Sequence, residues 1–392
     1  MRERLQGDPD QMRVALVHHW FVSLGGGERV AEAMAAMYPE ADIFTLVAAP
    51  EMVPESLRSH TMHTSFLNRL PFARNIYRHL LPLYPMAVEQ LDLTGYDLVL
   101  TSDSGPMKGV ILSPSALHVC YCHAPMRYIW DQYHEYRSHM GRFARASFGY
   151  TAHYVRGWDH LAAQRVTQFA ANSHYVASRI RQYYGRSSTV IYPPIDTASS
   201  YLAETQSDAY LTVGRLVSYK RIDLLIQACN KLSRRLRIIG TGPEEARLRS
   251  MAGKTIEFLG NVDNETLWNE YANCRAFLFA ANEDFGMALV EAQACGRPVI
   301  ALGKGGALES VVSLDHAANR GQSTGMFFGE QTPMDVQSAI LRFEMEEHRF
   351  NPHVIRQKAQ RFGADVFRRS LGDLIDGALH VSNAERELQL CL

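Results

Sequence analysis

Short apolar runs of strand length alternate with helical stretches along most of this chain, and the alternation breaks and restarts once, at Pro193-Pro194. The first run, 12–18, ends in Gly25-Gly26-Gly27, and an alanine-rich helix follows over 28–37. Strand, glycine turn and helix form the opening unit of a doubly wound α/β domain. Further strands read at 41–46, 97–101, 117–122, 169–171 and 189–192. A polar stretch without period, 196–208, reads as a linker. Strands resume at 209–213, 236–239, 255–258, 276–279 and 299–301, with helices over 222–232, 244–252, 264–274 and 288–294. The expectation is an α/β chain with a loose leader over 1–11, a first domain over 12–195, a second over 209–334 and a helical tail over 335–392 that returns to the first domain. Ligands of such sheets sit outside the carboxyl ends of the strands, so the expected active site is a cleft between two facing Rossmann-like domains.

Composition narrows the function. The chain has 392 residues, 46% of them hydrophobic, enough for each half to bury its own core. Lys and Arg total 40 against 41 Asp and Glu, which leaves no positive excess for a nucleic-acid partner. Of the six cysteines only Cys120 and Cys122 are close, a spacing that suits neither a disulfide framework nor a zinc finger. No apolar run reaches the roughly 20 residues of a bilayer span, and residues 1–11 have no apolar core of a signal peptide. A cytoplasmic protein is expected, peripheral to a membrane at most.

Three elements of the second half carry chemistry. Gly214 lets the chain turn after a strand, and Arg215 and Lys220 follow before the next helix. Two cations there suit a diphosphate, Arg as a fork and Lys as a point charge; they read equally as a solvated basic turn. After the next strand Gly240 and Gly242 permit close backbone approach at a helix start. The richest element is Glu283-Asp-Phe-Gly-Met-Ala-Leu-Val-Glu291. Phe285, Gly286, Met287, Ala288 and Leu289 open a helix whose first N–H groups attract an anion. Glu291, about a turn further in, can bind the vicinal hydroxyls of a ribose, and Glu283 those of a sugar. Surface glutamates at a helix start would give the same spacing.

Two carboxylates separated by seven residues, followed by Gly296-Arg-Pro-Val299 and Gly305-Gly306-Ala307-x-Glu309, resemble the signature of the retaining family 4 glycosyltransferases of the GT-B fold. The resemblance implies that Arg215 and Lys220 hold the donor diphosphate, Glu291 the ribose and Glu283 the donor sugar. In the first half, His123-Ala-Pro-Met-Arg127-Tyr-Ile-Trp130-Asp131 resembles bacterial mannosyltransferases of O-antigen and exopolysaccharide assembly. That likeness implies GDP-mannose as donor, a polyprenyl-diphosphate-linked glycan as acceptor, and His123 in contact with the transferred sugar. It also assigns Gly26, Gly27, Lys108 and Arg127 to substrate binding, while His18 and His19 read as wall residues. No metal is expected, because the one Asp-x-Asp, at Asp8 and Asp10, lies in the leader.

Arg58, Arg69, Arg74 and Arg78, and later Arg137, Arg142, Arg145 and Arg156, lie in acid-free, aromatic-rich stretches that suit an anionic inner-leaflet surface. Ordinary packing helices would look the same. A UDP-sugar-dependent transferase, a nucleotide-sugar epimerase and a non-catalytic sugar-nucleotide sensor stay open as alternatives. A dinucleotide oxidoreductase fails on the missing third glycine after Gly25-Gly-Gly27.

Overall fold

The computed structural model describes residues 12–23, 25–138, 140–315 and 321–390. The expected leader, with Asp8 and Asp10, lies outside them. Two compact units divide the chain. One takes the residues up to Tyr192 together with the end of the chain from Arg368; the other is Pro193–Phe367.

In the first unit the strands are β1 (Val14–Phe21), β2 (Asp42–Ala48), β3 (Met62–Thr64), β4 (Leu98–Asp103), β5 (Leu117–Cys122), β6 (Gln168–Ala171) and β7 (Thr189–Val190). They form one parallel sheet in the order β3-β2-β1-β4-β5-β6-β7. β1, β4 and β5 are buried nearly throughout, as strands covered by helices on both faces must be. The order reverses between β1 and β4, and such a switch point opens a crevice at the strands' carboxyl ends. From Arg368 the last helix, Ala364–Leu390, belongs to this unit, and Gly372 lies against Met37.

The second unit repeats the plan with β8 (Tyr210–Val213), β9 (Leu236–Ile239), β10 (Ile256–Gly260), β11 (Phe277–Phe279), β12 (Val299–Leu302) and β13 (Gly325–Phe328). All neighbours are parallel, in the order β10-β9-β8-β11-β12-β13, so the switch point lies between β8 and β11. Each face of this sheet has an apolar cluster. One is built on Leu236, Ile238, Leu278 and Ile300, the other on Leu211, Phe277, Phe279 and Val299, as the alternation of side chains along a strand requires.

The expected α/β class, two doubly wound sheets, is what the chain forms. Two strands escape the sequence reading. β3 is three residues of mixed polarity at a sheet edge, and β13 contains Gly325, whose missing side chain leaves room for the Val299 carbonyl. Helices Arg142–Gln164 and His174–Tyr184 also appear where no element was assigned.

Candidate functional site

Each unit concentrates its polar residues at its own switch point. In the second unit, β8 runs into Gly214, whose φ of 151° belongs to glycine. A Cβ on Gly240, after β9, would stand 2.1 Å from the Gly214 carbonyl oxygen, and one on Gly242 would stand 2.3 Å from that of Leu216. The two turns are therefore packed backbone on backbone, and both glycines serve this packing. Arg215 projects from the first turn into solvent and forms no ion pair among the described residues. Lys220, on the 3-10 turn Ser218–Lys220, reaches back and forms an ion pair with Glu283, beyond β11. Burial disfavours the Lys220 ammonium, yet Glu283, Tyr219 and Glu291 together more than offset this and its pKa lies above the ordinary value.

Glu283 is held by its backbone, which accepts a hydrogen bond from the Gly306 amide at 2.9 Å. The glycines of 305–306 permit this approach: a Cβ on Gly305 would stand 2.4 Å from the Glu283 carbonyl oxygen. Gly286, at φ 85°, turns the chain into helix Met287–Ala294 without a side-chain cap. The first N–H groups of this helix are thus open to an anion beside Lys220 and Glu283. Phe285 is buried against Phe362, and Met287 and Ala288 are half-buried in the first turn; Leu289, expected to bind substrate, is fully buried and its N–H already donates to the Gly286 carbonyl oxygen at 3.1 Å, so it belongs to the core. Glu291 follows in the second turn, 4% exposed, and accepts a 2.6 Å hydrogen bond from the Tyr271 hydroxyl. The structure brings Lys220, Glu283, Gly286 and Met287 together, with Arg215 and the Gly240 and Gly242 turn on the same sheet edge. Tyr271 is a residue sequence reasoning missed. It sits in helix Asn264–Asn273, and no spacing relates it to Glu291.

In the first unit, His18 on β1 is paired in register with Ser102 on β4. The Ser102 hydroxyl lies 3.1 Å from His18 Nδ1 and 2.9 Å from His123 Nε2. His19 Nδ1 is 3.4 Å from the Ser102 carbonyl oxygen. Above them stands the start of helix Gly26–Ala35: a Cβ on Gly27 would come within 3.5 Å of His18 and 3.9 Å of His123. Burial first, then His18, pushes the His123 imidazole down to about 3, so it is neutral near pH 7. His19 is driven down by burial and by His18 and His123. His123 keeps part of its surface accessible. Arg127 lies 3.7 Å from Asp131, which also binds Arg179 at 2.7 Å, so its guanidinium is anchored on the protein.

Lys108 requires a correction. It was expected to bind substrate, but it is 0% exposed, with its ammonium 2.5 Å from Asp159, 3.2 Å from Asp103 and 2.8 Å from the Gly105 carbonyl oxygen. Asp159 also accepts hydrogen bonds from Trp130 and Tyr184 at 2.8 Å. A cation surrounded by two carboxylates in the core has no free direction toward a ligand. The arginine-aromatic stretches divide likewise: Leu67, Tyr77 and Leu81 enter the core, and Arg156 donates to the Ile129 carbonyl oxygen, while Phe72 and Phe143 stay 78% and 95% exposed. Among the described residues no cluster of three or more His, Cys, Asp or Glu is arranged to hold a metal ion. No helix among them is long and apolar enough to cross a membrane.

Residues 24–199 match the family described as Glycosyltransferase Family 4, and residues 197–362 the one described as Glycosyl transferases group 1. Each half of the chain thus matches a glycosyltransferase family model, and the two matches together span residues 24–362. The chain's likeness to individual glycosyltransferases is distant. An uncharacterised glycosyltransferase of Methanocaldococcus jannaschii, MJ1178, is 26% identical over 43% of this chain and 47% of its own. A GDP-mannose-dependent monoacylated alpha-(1-6)-phosphatidylinositol monomannoside mannosyltransferase of Corynebacterium glutamicum is 35% identical over 25% of this chain and 30% of its own. The chain thus spans less than half the length of these relatives. Among solved structures, Anabaena Alr3699/HepE in complex with UDP and glucose superposes with a TM-score of 0.69 at 17% identity, over 93% of this chain and 100% of that one. The sucrose-phosphate synthase of Thermosynechococcus elongatus does so with a TM-score of 0.68, also at 17% identity, over 95% and 100%. These likenesses show that the chain has the GT-B fold.

Proposed function

We propose that this glycosyltransferase moves a hexose, mannose from GDP-mannose, onto a hydroxyl of a lipid-linked glycan and retains the anomeric configuration. The observation that carries the reading is the meeting of Lys220, Glu283 and the uncapped start of helix Met287–Ala294 one turn before buried Glu291. A diphosphate at the helix start would draw the Lys220 ammonium away from Glu283. The freed carboxylate then accepts hydrogen bonds from the donor sugar, and Glu291 those of the ribose. Negative charge grows on the departing diphosphate in the transition state, where Arg215, Lys220 and the helix N–H groups stabilise it. No nucleophile is evident among the described residues, so we assign acceptor deprotonation to the donor phosphate. The family resemblance assigns contact with the transferred sugar to His123.

Mannose is favoured by two Corynebacterium relatives named as GDP-mannose-dependent mannosyltransferases, each 35% identical over 25% of this chain. The UDP and glucose bound in the HepE structure favour a UDP-sugar as the second reading. Incubation with GDP-mannose and with UDP-glucose, each with and without a polyprenyl-diphosphate-linked glycan, tests both. Transfer from GDP-mannose alone supports the first reading, transfer from UDP-glucose alone the second, and donor turnover without acceptor overturns transfer in favour of epimerisation or hydrolysis.

A lipid-linked acceptor calls for a membrane surface. Helix Arg142–Gln164 exposes Phe143, Tyr150, Tyr154 and Leu161 along one face, about 27 Å at 1.5 Å per residue. Arg142 is exposed beside them, and Phe72 stands exposed among exposed Arg69, Arg74 and Arg78. We assign these faces to the anionic inner leaflet. Sedimentation with anionic but not neutral vesicles, weakened in Phe72→Ser/Phe143→Ser, is expected; equal binding to both vesicle types rejects the assignment.

A further inference from the structure

Ser102 has one hydroxyl proton and two imidazole partners, His18 Nδ1 at 3.1 Å and His123 Nε2 at 2.9 Å. Between two uncharged imidazoles the hydroxyl must donate to one nitrogen and accept from the other. Two senses of the chain are possible, and the far side of His18 decides between them. His18 Nε2 is buried without a hydrogen-bond partner and lies 4.0 Å from the Glu28 carboxylate, itself 6% exposed. A bare Nε2 lone pair there would face a negative charge in a medium of low dielectric; an N–H there is attracted to it. His18 therefore carries its proton on Nε2, and its Nδ1 accepts from Ser102. The Ser102 oxygen is then left to accept from His123.

We propose that Glu28, His18 and Ser102 are positioning residues that fix His123 in the tautomer protonated on Nε2, leaving Nδ1 as an acceptor that takes a hydroxyl hydrogen of the bound sugar. The use of Nδ1 rests on the role given to His123 above; the tautomer does not. His123 Nδ1 makes no hydrogen bond among the described residues. The neighbouring His19 is tied separately, to the Ser102 carbonyl oxygen and the Ser104 hydroxyl, both at 3.4 Å, and does not enter the chain. Gly27 lies over all three imidazoles, where a Cβ would make ordinary contact with each at 3.5–3.9 Å. The chemical consequence is selectivity: a hydroxyl can donate to Nδ1, whereas a fluorine or a carbonyl at the same position cannot.

Nitrogen-15 NMR of the full chain labelled at histidine reads which ring nitrogen carries the proton at neutral pH, with His123 assigned by the signal lost in His123→Gln. The expected result is a single Nε2–H tautomer in the native chain, a mixture in Ser102→Ala, and recovery in Ser102→Thr. Glu28→Gln, which puts an amide donor toward His18 Nε2, should populate the Nδ1–H form of His123. A native His123 protonated on Nδ1, or a tautomer untouched by Ser102→Ala in a chain with a native-like spectrum, overturns the proposal. Full transfer activity in His123→Gln would overturn the sugar contact and leave the tautomer result standing.

Discussion

Lys220 is under two opposed influences, since burial works against its charge and Glu283 sustains it. Lys220→Ala removes the cation and leaves Glu283 beside the arriving diphosphate. Turnover should fall roughly 100-fold or more, on the scale of losing a preorganised charge contact. Near-normal turnover in steady-state assays would reject the diphosphate role. Lys108 shows what a buried lysine does when it has no ligand to meet. Lys108→Met would leave Asp103 and Asp159 facing one another in the core, and the loss should be about 3–5 kcal/mol by urea denaturation. A loss under about 1 kcal/mol would mean the carboxylates are readily hydrated or protonated. Both lysines follow strand ends near a glycine, and the sequence assigns both to ligands, Lys220 to the diphosphate and Lys108 to substrate. What separates them is Asp159, 51 residues later in the chain, which closes over Lys108 from helix Arg142–Gln164. Tyr271 was illegible for the same reason, as its tie to Glu291 joins two helices.

Strand β5 carries a pH dependence. His118, at its start, is 2% exposed, and burial first, then Arg165 and Lys108, depress it to about 3 from 6.5. A depressed histidine means the unfolded chain binds the proton more readily below pH 6.5, so its contribution is full above that value and is lost as pH falls toward 3. From pH 7 to 5 this amounts to about 2 kcal/mol, and His118→Gln should flatten the fall in melting temperature over that window. An unchanged slope would show that His118 is not the titrating group. The turns are the other decisive elements. Gly240→Ala meets both a φ of 124° and the Gly214 carbonyl oxygen, so a destabilisation of about 1–3 kcal/mol or more is expected in a denaturant titration, with weaker nucleotide binding. Strand-helix alternation made most strands legible, because a covered parallel strand is an apolar run whatever lies beside it. β3 lacks such a run and β13 has only Met326-Phe327-Phe328 after Gly325; both pair with a neighbouring strand at a sheet edge.

Each unit has its own apolar clusters, so heat should unfold the molecule in two steps. The residues proposed to hold the donor's diphosphate and ribose all lie within Pro193–Phe367, so saturating GDP should raise one calorimetric transition, by about 2.7 kcal/mol of stability at 100 times Kd, and leave the other in position. A rise in both, or in neither, would count against a donor site carried by the second unit alone. At this scale the sequence by itself determined two doubly wound sheets, the glycine turns, and the order of Arg215, Lys220, Glu283 and Glu291 along strand ends. Those features are local: period, turn chemistry and the placing of charges at a helix start are written over a few residues. Only the tertiary structure decided that Lys108 is core, that Tyr271 supports Glu291, and that Glu28, His18, Ser102 and His123 form one chain. Each of those depends on which distant side chain is within about 4 Å, and that is set by sheet order and helix packing.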